Sequence, residues 1–166
     1  MKKLLFFMLF LAAGTATVYP QGDLRLGINV GLPVGDADDF TSFQLGADFS
    51  YLFNVAEGFD VGPMIGYSHF FGEEVDLGGG MGSMDFDDIQ FLPIAASGRF
   101  NLAETFFLGA DLGYAVGIND GNDGGFYYRP KVGFDLVGVG LIASYSGVSV
   151  DGGSFSSINL GIEFGL

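Results

Sequence analysis

The chain has 166 residues, enough for one domain, with 29 glycines, 16% aromatic residues and a mean hydropathy of +0.42. It contains no cysteine, which excludes disulfides and thiolate chemistry. Beyond the predicted leader, the chain has four basic and 20 acidic residues, which gives a net charge of −16. This charge disfavours a nucleic-acid partner, because phosphate binding needs clustered lysine and arginine.

The first 21 residues have the pattern of a secretory signal peptide. Lys2 and Lys3 supply its positive charge, an apolar stretch over 4–13 follows, and small residues precede the expected cleavage. An uncleaved anchor helix is the alternative, but the apolar stretch is short for a membrane span. The sequence therefore predicts export, with a signal peptide over 1–21 and one domain over 22–166.

Apolar and small or polar residues alternate with a period of two through the rest of the chain, which is typical of strands. The fifth segment, FFLGADLGYAVGI, is the clearest, with a long apolar face opposite a face that is mostly glycine and includes Asp111. No later run reaches the length of about 18 apolar residues that a membrane-spanning helix needs. Eight strands are predicted, over 24–32, 43–53, 59–70, 89–102, 106–118, 126–136, 139–147 and 155–166.

The connections between these strands alternate in character. Those after the first, third, fifth and seventh strands are acidic or glycine-rich, and the longest, over 71–88, is predicted to be a mobile loop. Those after the second, fourth and sixth are short. Outer-membrane barrels have short periplasmic turns and longer external loops, and in hydrocarbon a sheet must close on itself. We therefore predict an all-β fold, an eight-stranded antiparallel up-and-down transmembrane β-barrel.

The predicted inward faces carry both signs of charge. An eight-stranded barrel has an interior that side chains can just fill, so the pattern predicts a plugged barrel and not an open porin. Because buried charges are tolerated when paired, we predict a lumen ion-pair network, with Asp111 paired to Arg99 on the adjacent strand. Solvated surface charges are the alternative. The predicted network comprises Arg25, Asp48, Asp60, Arg99, Asp111, Arg129, Lys131, Asp135 and Glu163.

Many aromatic residues lie near the ends of the predicted strands. This placement suits girdles at the two membrane interfaces, although ordinary strand propensity is the alternative. The predicted girdle residues are Tyr51, Phe53, Tyr67, Phe70, Phe100, Phe106, Tyr127, Tyr128, Tyr145 and Phe164.

A catalytic reading would have to use His69, the single histidine, with Ser68 beside it. Alternation places these two side chains on opposite faces of the strand, so we expect no catalytic residue and no enzyme activity. Two loop segments with many side-chain oxygen atoms could bind Ca²⁺ weakly, but neither segment has a complete EF-hand spacing. We therefore expect neither a metal site nor a cofactor. Those segments contain Asp85, Asp87 and Asp88, and Asp120, Asn122 and Asp123.

Four stretches of the mature chain carry a family resemblance: FLPI through Arg99-Phe100, YYRPKVGF over 127–134, ASYSG over 143–147 and the closing INLGIEFGL. With them the chain resembles the small eight-stranded outer-membrane β-barrel domain family common in Bacteroidetes-type bacteria, related in architecture to OmpA- and OmpX-type barrels. The closing stretch resembles the signal that the barrel-assembly machinery reads. The resemblance implies fold and location, and transfers no catalytic residues.

These observations favour a non-enzymatic integral outer-membrane protein with a structural or adhesive role. An accessory barrel of an export or uptake complex is the alternative, and a lipid-modifying enzyme is a weaker one. The expected partners are outer-membrane lipid, lipopolysaccharide, the barrel-assembly machinery through the last strand, and a surface ligand of the acidic loops. We expect a monomer in the outer membrane.

Overall fold

The computed structural model describes residues 22–38, 40–76, 83–85, 87–103 and 105–166, so the predicted leader lies outside the described residues. Strands account for most of this part of the chain, and none of its helices is long and apolar enough to cross a membrane. The strands are β1 (Gly22–Val34), β2 (Thr41–Ala56), β3 (Phe59–Gly72), β4 (Glu74–Asp76), β5 (Ser83–Asp85), β6 (Ile89–Asn101), β7 (Phe106–Gly117), β8 (Gly125–Leu136), β9 (Val139–Val150) and β10 (Gly153–Gly165).

Eight of these strands form one closed antiparallel barrel in the order β1-β10-β9-β8-β7-β6-β3-β2. Each strand pairs with its sequence neighbour in the barrel, and β10 closes the sheet against β1, with Val30 opposite Leu160. The closed sheet pairs the backbone polar groups along every edge, which is the requirement for a barrel in hydrocarbon. The predicted eight-stranded up-and-down barrel is confirmed.

The predicted strand bounds are close to the observed ones, and the second predicted strand, over 43–53, is shorter than β2 at both ends. The seventh predicted strand ends at residue 147, whereas β9 continues to Val150 because the alternation persists through the inward-facing Val148. The segment between β3 and β6, predicted as a mobile loop, contains the short antiparallel pair β4 and β5, with Val75 opposite Met84.

The two ends of the barrel differ in their connections. At one end, here called the loop end, lie the connections over 35–40, 73–88, 118–124 and 151–152. At the other, here called the terminus end, lie the turns over 57–58, 102–105 and 137–138, together with Gly22 and Leu166. The loop end therefore has most of the residues that lie between strands, while the connections at the terminus end are short turns.

The outer wall between the two ends is apolar. Leucine, isoleucine, valine and phenylalanine side chains point outward from every barrel strand, and Leu32 and Leu160 are 69% and 67% exposed. A contiguous apolar surface of this extent is typical of a contact with another apolar phase and not with water. The wall therefore has the character of a lipid-facing surface, and the polar side chains turn inward.

Candidate functional site

The lumen contains a central ionic cluster that joins four strands. Arg129 on β8 donates from both terminal nitrogens to the two carboxylate oxygens of Asp48 on β2, at 2.8 and 3.0 Å, and from Nε to Asp111 Oδ2 at 2.7 Å. Lys131 Nζ donates to Asp111 Oδ1 at 2.8 Å and to Ser97 Oγ at 3.1 Å. Two cations and two anions thus neutralise each other in the buried interior, and the side chain of Asp111 is completely buried.

A second ionic cluster lies nearer the terminus end. Arg99 Nη1 donates to Glu163 Oε1 at 2.7 Å, and Arg25 Nη1 donates to the same oxygen at 3.0 Å. Arg99 also pairs with Asp135, and Arg25 pairs with Asp23, an acidic residue outside the predicted network. This cluster is more hydrated than the central one, because Asp23 and Asp135 retain exposed side-chain area.

Arg99 gains a further contact from the ring of Phe107, whose centroid lies 3.4 Å from the guanidinium carbon. A guanidinium stacked on an aromatic face is attracted by the ring quadrupole while its edge remains free for carboxylates. The inward face of β7, which the sequence suggested to be small and polar, therefore begins with a large aromatic side chain. Phe107 lies opposite Gly133 on β8, and its ring fits there because the glycine has no side chain.

The predicted pairing of Asp111 with Arg99 is wrong. The register places Ser97, not Arg99, opposite Asp111 on β6, and Arg129 opposite it on β8. Arg99 lies one inward position nearer the terminus end and pairs there with Asp135 and Glu163. Two inward residues on adjacent strands can therefore belong to different layers of the lumen.

Asp60 is the member of the predicted network that the structure leaves outside the ion pairs of the described residues. Its carboxylate accepts hydrogen bonds from Asn101 Nδ2 at 2.7 Å and from Asn54 Nδ2 at 2.9 Å, at the mouth of the terminus end. Asn101 in turn accepts from Arg99 Nε at 3.2 Å, so an amide stands between Asp60 and the nearest guanidinium. The other eight predicted residues each take part in at least one ion pair.

A layer of amides and hydroxyls follows the central cluster toward the loop end. Asn159 Nδ2 donates to Ser146 Oγ at 3.0 Å, and Ser157 Oγ donates to Asn159 Oδ1 at 3.1 Å. Gln44 Nε2 reaches Asn29 Oδ1 at 3.4 Å. The inward positions of these residues followed from the alternation, but their mutual contacts did not, because they join strands that are distant in sequence.

The loop end of the lumen is closed by packed aromatic rings. The ring centroids of Phe70 and Phe91 lie 6.1 Å apart, and Phe155 lies 5.9 and 5.6 Å from them. Met64 and Tyr127 belong to the same buried cluster. We call this cluster the aromatic plug. Phe70 and Tyr127 were predicted to lie in the membrane girdles, and that prediction is wrong, because both occupy inward positions of the period-two pattern.

His69 and Ser68 lie on opposite faces of β3, as alternation predicts. Ser68 faces the lumen, where Gln44 Nε2 lies 3.4 Å from its hydroxyl oxygen. His69 lies on the outer face, with Nδ1 3.0 Å from the Tyr67 hydroxyl and Nε2 2.9 Å from Asp88 Oδ2. Among the described residues, the hydrogen-bond partners of the histidine are a tyrosine and an aspartate, not a serine. Both ring nitrogens of the histidine already have protein partners.

Asp88 fastens the end of the longest loop to the barrel wall. Its Oδ1 accepts the backbone N–H of Gly72 at 2.9 Å, and that hydrogen bond, together with the one from His69, holds the pKa of the Asp88 carboxyl below its usual value. The backbone carbonyl of Asp88 also accepts from Asn119 Nδ2 at 3.0 Å. The connection before β6 and the connection after β7 are thereby tied together at the loop end.

The connections at the loop end are acidic throughout. By sequence they contain twelve aspartates and glutamates and neither lysine nor arginine. In the described part of the chain, no group of three or more histidine or acidic side chains is arranged to hold a metal ion. Asn122, from the oxygen-rich segment over 119–125, instead donates to the carbonyl of Gln90 and accepts from the N–H of Gly124.

Comparison with known proteins gives the fold and no family. Neither the protein-family models nor the curated proteins contain a match to the chain. Among solved structures, the outer membrane protein Ail of Yersinia pestis in a phospholipid bilayer nanodisc is similar with a TM-score of 0.60 and 17% identity, over 88% of this chain and 100% of that chain. A crystal structure of Ail gives 0.55 and 14%, over 87% and 97%.

A de novo designed transmembrane β-barrel is similar to the same extent, with a TM-score of 0.55 and 10% identity over 90% of this chain and 100% of the design. A natural outer-membrane protein and a designed sequence thus share one architecture with this chain despite low identity. At such identities the similarity concerns the fold alone. The chain has the fold of a small eight-stranded outer-membrane β-barrel, of the kind that Ail represents.

Proposed function

We propose that the protein is a non-enzymatic integral protein of the outer membrane with a structural or adhesive role, exported by means of a signal peptide and present as a monomer. The observation that carries this proposal is the filled lumen. Two ionic clusters, a polar layer and the aromatic plug occupy it from one end to the other, as the contacts of Asp111 and Phe91 illustrate. A barrel whose lumen is filled in this way would act through its wall and its two ends.

The chemistry of the exposed surfaces assigns a role to each. The apolar wall suits lipid, and the terminus end offers only short turns. The loop end offers the long acidic connections, so a surface ligand would bind there and would meet carboxylates without competing basic residues. Long-range attraction of a cationic partner follows from such a one-signed surface. We also propose that the barrel-assembly machinery reads β10, the strand that closes the sheet.

Membrane location and fold can be tested together. We expect the full chain to fractionate with the outer membrane and to migrate differently on a denaturing gel before and after boiling, because a closed barrel resists detergent until it is heated. A soluble periplasmic fraction with no such shift would contradict the proposed location and the barrel.

The role of the loop end can be tested by deleting residues 73–88 and measuring surface attachment of cells. Loss of attachment with an unchanged heat-dependent gel shift supports adhesion. Glu57→Gln removes a carboxylate from the terminus end and serves as the control, which should attach normally. Loss of a co-purifying membrane complex upon the deletion would favour the alternative role as an accessory barrel.

One observation bears on the enzyme alternative. Tyr67, His69 and Asp88 form a hydrogen-bonded chain on the outer face at the loop end, where lipid headgroups would lie. His69→Ala would abolish any lipid-modifying activity that used this chain. We expect membranes that contain the variant and membranes that contain the natural chain to have the same lipid composition. The reason is that neither a serine nor a second nucleophile contacts the imidazole in the described residues.

A further inference from the structure

We propose that the outer surface of the aromatic plug binds a positively charged protein segment, which inserts an apolar side chain at the centre of the loop end. This partner gives a chemistry to the proposed surface role of the loop end, on which the inference rests. The plug leaves apolar area open to solvent. Phe155 belongs to the plug, Ile89 and Val150 pack against the same buried cluster, and all three side chains are part exposed. We call these three side chains the plug surface.

The strand pattern brings the members of the plug surface together. Ile89 begins β6 and Val150 ends β9, and each has the inward parity of its strand. Phe155 has the inward parity of β10, and its ring centroid lies 5.6 Å from that of Phe91. Each is the inward side chain nearest the loops on its own strand. Apolar area left in water is unfavourable, so a partner that covers the plug surface gains free energy.

The connections around the plug surface carry one sign of charge. They join β1 to β2, β3 to β6, β7 to β8 and β9 to β10, so they surround the mouth of the lumen. By sequence they contain neither lysine nor arginine. We call these four connections the acidic rim. Its exposed acidic residues in the described part of the chain are Asp36, Asp38, Glu73, Asp87, Asp88, Asp120, Asp123 and Asp151.

Hydrogen bonds between the connections hold the acidic rim in place. Asp36, in the first connection, accepts the backbone N–H of Ser154, just after the fourth connection, at 3.1 Å. The N–H of Glu73, in the second connection, donates to the carbonyl of Phe40, in the first, at 3.0 Å. The carbonyl of Asp88 ties the second connection to the third. A rim that is fixed before a partner arrives loses little entropy upon binding.

An apolar surface inside an acidic rim selects one class of ligand. The rim repels nucleic acids and acidic saccharides, and it attracts lysine and arginine side chains. An uncharged apolar molecule would contact the plug surface but would gain nothing from the rim. A protein segment in which basic residues flank a large apolar residue would contact both, with the apolar residue as the central anchor and the charge pairs around it.

The test uses the full mature chain in nanodiscs of phosphatidylcholine, a lipid without net charge, and a short peptide with one tryptophan between two runs of lysine. The chain contains no tryptophan, so tryptophan fluorescence comes from the peptide alone. We expect saturable binding with a blue shift of the emission, because the indole leaves water for the plug surface. Added salt should weaken the binding, because it screens exposed charges. Empty nanodiscs should give no blue shift.

A pair of variants locates the site. Val150→Asn removes apolar area from the plug surface and should weaken binding about fivefold, the effect of losing the contact of a part-exposed valine. Val137→Asn makes the same change at an exposed valine of the terminus end, and this matched control should bind like the natural chain. The heat-dependent gel shift shows whether both variants are folded.

A further variant tests the acidic rim without a change in any strand. Asp120→Asn together with Asp151→Asn removes two exposed carboxylates and should weaken binding about threefold, as exposed charge pairs contribute little each. A peptide with glutamates in place of the lysines should not bind.

Four results would overturn the inference: no blue shift with the natural chain, unchanged affinity in Val150→Asn or in the double rim variant, weaker binding in Val137→Asn, or equal binding of the glutamate peptide. Binding that appears only after deletion of residues 73–88 would overturn it as well, because that loop would then be the occupant of the plug surface.

The proposed function fails in a different way. A chain that does not insert into a bilayer and shows no heat-dependent gel shift contradicts the membrane location. A chain that folds normally but does not bind the lysine peptide contradicts only the inference drawn from the plug surface.

Discussion

The two halves of the lumen are filled by different kinds of side chain, charged in one half and aromatic in the other. Toward the terminus end, Arg129, Lys131 and Asp111 fill the barrel with paired charges. Toward the loop end, Phe70 and Phe91 fill it with rings. A ring stabilises mainly through the apolar area and the contacts that it buries, whereas a buried charge is stable only while its partner remains. The ionic half should therefore tolerate removal of a whole pair better than removal of one partner.

The largest expected effect comes from Asp111→Leu. Among the described residues, removal of this carboxylate leaves Lys131 without an anion and Arg129 with Asp48 alone, and breaking a buried pair costs about 3–5 kcal/mol. Unfolding of the vesicle-inserted barrel in urea measures the loss. An unchanged midpoint would contradict the buried position of the aspartate.

A double variant sharpens this test. In Asp111→Leu with Lys131→Met, one cation and one anion are removed together, and the bidentate pair of Arg129 with Asp48 remains balanced. We expect the double variant to recover much of the stability lost in the single one, because replacing an ion pair by apolar side chains is often close to neutral. Further destabilisation of the barrel by the second substitution would show that charge balance is not the reason for the loss.

The second prediction concerns the aromatic plug. Phe91→Ala removes a completely buried ring that contacts Phe70 and Phe155, and such truncations cost about 3–5 kcal/mol through lost burial and the cavity left behind. The same urea titration measures it. Phe126→Ala, which removes an outward ring that is 54% exposed, is the matched control and should cost far less in the same membrane.

A smaller effect is expected for Asp60→Asn. The carboxylate lies at the mouth of the terminus end, accepts from two asparagine amides and takes part in none of the described ion pairs. Exposed polar contacts of this kind contribute below about 1 kcal/mol, so the urea midpoint should hardly move. A loss as large as that of Asp111→Leu would place Asp60 within the ionic network.

The smallest effect is local and depends on pH. The ionised carboxylate of Asp88 accepts from Gly72 N–H and His69, which lowers the pKa of its carboxyl below the ordinary 3.8. The folded loop is therefore stabilised above pH 3.8, and that contribution is lost as the pH falls through the lowered pKa. The amide signal of Gly72 should titrate with a midpoint below 3.8 while the barrel stays folded. In Asp88→Asn the titration should disappear.

The barrel could be predicted from the sequence because its main determinant is local. Period-two alternation needs only neighbouring residues, and it placed eight strands and the inward positions of residues such as Arg129. The pairing of charges across the lumen is not local. It depends on how the sheet is staggered and closed, and for that reason the sequence predicts the pair Asp111 and Arg99, whereas Ser97 lies opposite Asp111 on β6.

The aromatic residues show a second limit of the sequence. Phe70 has the same parity as the inward Met64, and its outward assignment rested on its place near a strand end. Tyr127 was misplaced in the same way. In the sequence, a phenylalanine at a membrane interface looks the same as one that fills the lumen. Only the closed barrel shows that side chains must fill the lumen at the loop end.

The distances in sequence between the paired charges constrain the order of assembly. Arg129 and Asp48 are 81 residues apart, and Arg25 and Glu163 are 138 apart. A strand that entered the membrane alone would carry an arginine or aspartate into hydrocarbon without a counter-ion, at a cost of several kcal/mol. The chain must therefore curl before or while it inserts, so that each charge crosses the membrane already facing its partner.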